Sequence, residues 1–145
     1  MDETIRQEKK KWLSRYTRNR VVIRRLEEKV ASLDSKMKTI KTSNLSGMPR
    51  GGQPVTSADI VADKLELESR IEKLELKGRQ YRREILDAID DLEDAVHAEI
   101  LESVFIDGML IEDVGDELGY NIRHVYRLYA RAIEAIQVPD TGDSN

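Results

Sequence analysis

Apolar residues in the first part of the chain recur three and four positions apart. Polar residues at Lys9 and Asn19 interrupt this series. A repeat of about 3.5 residues is the period of a coiled-coil seam. The pattern therefore predicts one long basic helix over residues 1–41, with an apolar stripe that needs a partner. The members of the stripe are Ile5, Trp12, Tyr16, Ile23, Leu26, Val30, Leu33, Met37 and Ile40.

A second series with the same spacing predicts another long helix over residues 57–91, with Ser57 as its cap. Between the two helices, residues 42–56 carry two prolines and three glycines without periodicity, which predicts a flexible loop. Helices of similar length joined by such a loop favour an antiparallel coiled-coil hairpin, although the same seams can also pair between chains. The second seam contains Ile60, Leu67, Ile71, Leu74, Tyr81, Ile85 and Ala88, and Lys64 and Gly78 interrupt it.

After residue 91 the pattern changes from a narrow seam to short amphipathic helices. We expect Asp90 or Asp91 to cap a helix that begins near Leu92. Further along, Gly115 marks a close helix crossing and Gly119 suits a left-handed turn. This arrangement predicts a C-terminal helix-turn-helix domain over residues 92–137, followed by a disordered tail over residues 138–145. The predicted fold class is all-α.

The second helix of a helix-turn-helix lies in the major groove of DNA. Here that recognition helix is predicted to run from Asn121 to Ile136, with Val125, Leu128 and Ala132 facing inward. Arginine bonds guanine with two hydrogen bonds, and asparagine reads adenine in the same way. The outward side chains are the candidate DNA contacts: Asn121, Arg123, His124, Tyr126, Arg127 and Arg131.

The charge of the chain is uneven. The net charge is −4, but residues 1–41 hold 13 Lys/Arg against 6 Asp/Glu, and residues 93–145 hold 3 against 12. All three basic residues of that acidic section stand on the predicted recognition helix. The basic N-terminal helix adds candidate phosphate contacts at Lys10, Lys11, Arg15 and Arg18.

Several classes of function are disfavoured by composition. The chain has no cysteine, which excludes disulfides, thiolate zinc sites and a cysteine nucleophile, and its two histidines suggest no metal site. Carboxylates between Asp87 and Asp94 form a solvated helix junction more plausibly than an acid/base pair. We therefore expect no enzyme activity, no cofactor and no metal. Since no apolar run approaches the length of a membrane helix, we expect a cytoplasmic protein with no membrane partner.

Residues 92–136, above all FIDGMLIEDVGDELGYNIRHVYRLYARAIEAI, resemble the region-4 helix-turn-helix of bacterial sigma factors. Over residues 20–137 the chain is similar to small phage and prophage proteins grouped with the ArpU/RinA-like late transcriptional regulators. The sequence LSGMP at residues 45–49 with the glycines that follow, and VYRLYARAI, carry this resemblance. It implies sequence-specific DNA binding near late promoters and activation of phage late or packaging genes in the bacterial host cell.

Two other functions stay open at this point. Small terminase subunits of phages, which package DNA, also join a helix-turn-helix to a coiled-coil hairpin. The acidic C-terminal section is also compatible with a protein-interaction module that binds RNA polymerase or a phage partner. In each case we expect a homo-oligomer, with a dimer favoured for a regulator that binds double-stranded DNA.

Overall fold

The computed structural model describes residues 2–46 and 56–139. Within these ranges the regular structure consists of six α-helices, which confirms the all-α class. They are α1 (Glu3–Leu13), α2 (Arg15–Ser46), α3 (Ser57–Asp90), α4 (Ala95–Phe105), α5 (Ile111–Leu118) and α6 (Ile122–Ala135). In the same ranges, no helix combines the length and the apolar character that crossing a membrane requires.

The single helix predicted over residues 1–41 is divided at Ser14. Its Oγ donates a hydrogen bond to the Lys10 carbonyl at 2.7 Å, and Arg15 Nε donates to the Trp12 carbonyl at 2.9 Å. Side chains that bond the preceding turn compete with the helical pattern and bend helices. At its other end α2 continues to Ser46, inside the loop predicted over residues 42–56. The glycines and prolines of that loop, within residues 47–55, lie outside the described residues.

The starts of α3 and α4 each lie beside a polar cap, but not at the residues the sequence indicated. Thr56 caps α3 instead of Ser57, because its Oγ1 accepts from the Asp59 N–H at 3.1 Å while Asp59 accepts from the Thr56 N–H. Asp94 caps α4 instead of Asp90 or Asp91, and α4 begins at Ala95. The backbone N–H of His97, bonded to the Asp94 carboxylate, lowers the pKa of Asp94.

Tertiary contacts divide the chain into two compact units. The first, which we call the α2/α3 unit, comprises Asn19–Lys77. Among its described residues, the buried apolar side chains are Ile23, Leu26 and Ile60. Two of the polar residues that interrupt the seams have partners here: Asn19 Nδ2 donates to the Leu74 carbonyl at 2.8 Å, and Lys64 Nζ lies 2.8 Å from Asp34 Oδ1.

The second unit, which we call the terminal unit, joins the chain up to Arg18 to the chain from Gly78 onward. Its main core draws residues from α1, α3, α4 and α6, together with Ile136, which directly follows α6. They are Trp12, Leu13, Ile85, Ile89, Leu101, Phe105, Ala132, Ile133 and Ile136. The N-terminal residues of the chain are therefore packed against its C-terminal helices, although more than a hundred residues separate them in sequence.

Lys9, the remaining polar residue in the first seam, is buried against the end of α6. Its Nζ donates to the Glu134 carbonyl at 2.9 Å, and Arg6 pairs with the Glu134 carboxylate at 2.9 Å. Burial lowers the pKa of Lys9, and the Glu134 carboxylate partly offsets this effect. A cation at a helix C-terminus can donate hydrogen bonds to the free carbonyls, and it interacts favourably with the negative end of the helix dipole. Helix α1 thus stabilises the end of α6.

Candidate nucleic-acid interface

Helices α4, α5 and α6 pack around a small apolar cluster of their own. Ile100, Val114 and Val125 are fully buried there, one from each helix. The predicted close crossing at Gly115 is confirmed: a Cβ on this residue would lie 3.0 Å from Val125 Cγ1 and 3.2 Å from Val125 Cβ. Only glycine leaves room for α6 to approach α5 this closely.

The turn between α5 and α6 depends on a left-handed residue. Gly119 has φ +75°, as predicted, and its neighbour Tyr120 donates its N–H to the Gly115 carbonyl at 2.9 Å. Asn121 follows as the N-cap of α6, where its Oδ1 accepts from the His124 N–H at 2.9 Å. Because Oδ1 is used by the cap, the Nδ2 end is the part of the Asn121 side chain left for another contact.

Three arginines form a stripe along α6. Arg123, Arg127 and Arg131 are spaced four residues apart and all are exposed, so they share one side of the helix. Throughout residues 2–46 and 56–139, no carboxylate lies within 4.0 Å of their guanidinium groups. They therefore present unpaired positive charge on a helix whose other side, at Val125 and Ala132, is buried.

The two aromatic candidates on α6 have intramolecular partners. The Tyr126 hydroxyl donates to Glu112 Oε1, which raises the pKa of Tyr126 and lowers that of Glu112. His124 is half-buried and packs edge to face on Tyr120, with ring centroids 4.9 Å apart. His124 thus supports the turn, and Tyr126 offers its ring more readily than its hydroxyl.

Ile122 is a residue of this surface that the sequence reading did not include. It begins α6, and 58% of its surface is exposed; Tyr126, one turn later, is 43% exposed. Ile122 and Tyr126 stand one turn apart, so they place two exposed apolar groups beside the arginines. The signal was present in the sequence, since Ile122 lies outside the inward series of Val125, Leu128 and Ala132.

The four predicted phosphate contacts near the N-terminus differ in their exposure and in their intramolecular partners. Lys11 and Arg18 are exposed. Lys10 lies over the ring of Tyr129 on α6, with Nζ 5.6 Å from the centroid. Arg15 stacks between the rings of Trp12 and Tyr81, at 4.4 and 4.7 Å, and pairs with Glu84 at 2.9 Å. A phosphate contact by Arg15 would require it to leave these partners, so Lys10, Lys11 and Arg18 are the better candidates.

These features define the class of protein: all-helical, with a three-helix C-terminal cluster that carries an exposed arginine stripe. Residues 41–137 match the family described as "Protein of unknown function (DUF1492)", and the chain belongs to that family. The match includes α3 to α6 completely and leaves α1 outside. No curated protein and no solved structure matches the chain.

Proposed function

We propose that this protein is a sequence-specific, double-stranded DNA-binding transcriptional regulator. In this proposal α5 and α6 form a helix-turn-helix, and α6 enters the major groove. The observation that carries it is the stripe of Arg123, Arg127 and Arg131, which is exposed and has no carboxylate partner within residues 2–46 and 56–139, on a helix that Asn121 caps. The resemblance to ArpU/RinA-like regulators and to sigma region 4 adds the expectation of a late or packaging gene activator, in the cytoplasm of a phage-infected or prophage-carrying bacterium.

The packing of α5 against α6 supports a helix-turn-helix. A left-handed residue at Gly119 reverses the chain within a few positions, and the missing side chain at Gly115 lets the helices cross closely. Such motifs hold the second helix so that its first residues reach base edges. On α6 these are Asn121, Ile122 and Arg123, with Tyr126 and Arg127 one turn later.

Electrostatics determines how strong this contact can be. Phosphate contacts dominate affinity for DNA and weaken as salt rises. The protein has a net charge of −4, so binding has to depend on local positive charge. Three arginines and a few N-terminal lysines provide a modest number of phosphate contacts. We therefore expect binding that is measurable at low salt and that depends on base contacts for its specificity.

Within the α2/α3 unit, we propose an antiparallel helical hairpin. Asn19 meets Leu74 and Asp34 meets Lys64, so the later residue of α2 meets the earlier residue of α3. This order is the one that helices joined by a short connection adopt. We assign this hairpin to association between copies of the chain.

The experiment begins with selection of bound fragments from random DNA by the full chain. Fluorescence anisotropy then measures the affinity for the selected site. Arg127→Ala should cost about 1–3 kcal/mol if Arg127 reads a base. Arg83→Ala is the matched control, because Arg83 is also exposed but lies on α3. Failure to select any fragment at low salt, or equal losses in both variants, would remove α6 from the groove.

A protein-binding role is the second candidate, and one observation favours it. Helix α5 exposes four carboxylates beside α6, at Glu112, Asp113, Asp116 and Glu117. Acidic groups next to a groove-binding helix repel phosphates, whereas they complement a basic protein surface. Substituting Asp113 and Asp116 by asparagine separates the two roles. DNA affinity should rise if α5 faces the backbone, and it should not change if α5 serves only a protein partner.

A further inference from the structure

Among the residues that the structure describes, the apolar seam of the α2/α3 unit is only partly covered. Ile23, Leu26 and Ile60 are buried, but Leu33 and Leu67 further along the helices stay half-exposed. These two leucines lie in a groove of about 350 Å³ between α2 and α3. Helices in water owe most of their stability to burial of their apolar face. An open stretch of seam therefore marks a surface that another element can cover.

Opposite charges line the two sides of this groove. Lys29 and Lys36 stand on the α2 side, and Asp63 and Glu66 on the α3 side. All four are exposed, and no ion pair within 4.0 Å holds any of them among the described residues. By contrast, Asp34 and Lys64 of the same helices are paired with each other at 2.8 Å. The groove thus has an apolar floor between a basic edge and an acidic edge.

We propose that a second copy of this chain covers the groove, forming a dimer with a two-fold axis parallel to the helices. That axis lays α2 of one copy on α3 of the other, at the same height along the helices. The basic edge of each copy then faces the acidic edge of its partner, and the half-exposed leucines meet in the middle. Self-complementary contacts of this kind are characteristic of two-fold dimers.

Charge also excludes the reversed arrangement. A two-fold axis across the helices would lay α2 on α2 and α3 on α3. Lys29 and Lys36 would then face lysines on α2 of the other copy, and Asp63 and Glu66 would face carboxylates on its α3. Like charges placed directly opposite one another oppose association, and such charges set orientation in coiled coils.

One residue of the groove opposes the proposed dimer. Arg70 lies on the acidic side, one turn beyond Glu66. Since Asp34 is level with Lys64, Lys29 of the partner lies between Glu66 and Arg70, and Lys36 lies near Asp63. Arg70 therefore weakens one of the two attractive contacts. Arg70→Glu should tighten the dimer, because it replaces that repulsion by an attraction.

The first test measures the mass of the full chain by light scattering over a wide range of concentrations. We expect twice 16.7 kDa for the unmodified chain. Lys36→Glu should raise the dissociation constant about tenfold, because both symmetry-related contacts are lost. Lys38→Glu, the same change at an exposed α2 position outside the groove, should leave it unaltered. A mixture of Lys36→Glu and Asp63→Lys chains should regain the dimer, which a merely misfolded hairpin would not do.

The second test determines the orientation. The chain has no cysteine, so Ser32→Cys and Glu66→Cys chains can be mixed and oxidised without background. The proposed dimer gives a disulfide between the two different chains. A monomer at all concentrations, a dimer that does not respond to Lys36→Glu, or disulfides between two copies of the Ser32→Cys chain would each overturn the proposal. None of these outcomes depends on whether the protein binds DNA.

Discussion

The crossing of α5 over α6 depends on the absence of a side chain at Gly115. An alanine there would place its Cβ 3.0 Å from Val125 Cγ1, whereas carbon atoms pack best at about 3.5–4.0 Å. Val125 is fully buried, so it cannot move aside into solvent. Overpacking a core costs about 1–3 kcal/mol, while alanine in a helix gains about 1 kcal/mol over glycine. We expect Gly115→Ala to lower the free energy of unfolding by about 1 kcal/mol as the balance of these effects.

Urea denaturation followed by circular dichroism measures this change. A double-mutant cycle with Val125→Ala isolates the contact, since the smaller residue removes Cγ1. The two substitutions should be coupled by about 1 kcal/mol, with the double variant more stable than the sum of the single ones. Val30→Ala, the same change at a half-buried residue of α2 outside this cluster, serves as the additive control. A Gly115→Ala variant as stable as the unmodified chain, or no coupling to Val125, would refute the close crossing.

Three further expectations concern the ends and the outward side of the helices. Asn121→Ala should remove the cap of α6 and cost about 1 kcal/mol of stability, whereas Asn121→Ser should keep it. If both variants lose DNA affinity, the amide reads a base; if only Asn121→Ala does, Asn121 acts as a cap alone. Replacing thymine by uracil, one position at a time in a selected DNA site, should weaken binding by about 0.8 kcal/mol where Ile122 contacts the methyl group. The Ile122→Ala variant should not distinguish the two bases, and an equal loss in both proteins would contradict this contact. The third expectation concerns pH: because the folded pKa of Asp94 is below its ordinary value of 3.8, its stabilising effect is present at neutral pH and is lost as pH falls through that folded pKa. The stability difference between the unmodified chain and Asp94→Ala should therefore shrink in acid denaturation series, and a constant difference down to low pH would contradict the role of Asp94 as the cap.

The polar residues that interrupt the two seams show which contacts could not be predicted from the sequence. Spacing identified Lys9, Asn19 and Lys64 as exceptions to the apolar pattern, but it could not supply their partners. Lys9 bonds the end of α6, which follows it by more than a hundred residues. Asn19 and Lys64 bond groups on the opposite helix of the α2/α3 unit. Each partner is distant in sequence, and no local periodicity records such a contact.

More of the candidate interface than of these contacts could be predicted from the sequence, because helical spacing alone separates the outward side of a helix from its inward side. The stripe of Arg123, Arg127 and Arg131 and the buried positions Val125 and Ala132 followed from that spacing. Sequence could not decide which outward residues are free. The structure shows that Arg15 is stacked between two aromatic rings and that the Tyr126 hydroxyl is bonded to Glu112. It also shows that the Ile122 side chain is exposed.

Sequence by itself determined the all-helical class, the glycine turn after α5 and the extent of the helix that follows, because these depend on local spacing and backbone freedom. The left-handed conformation of Gly119 and the cap at Asn121 are short-range consequences of residue type. Only the tertiary structure decided that α1 packs against α6, and that part of the α2/α3 seam stays open among the described residues. These outcomes depend on which apolar surfaces meet, and that choice is made between segments far apart in the chain.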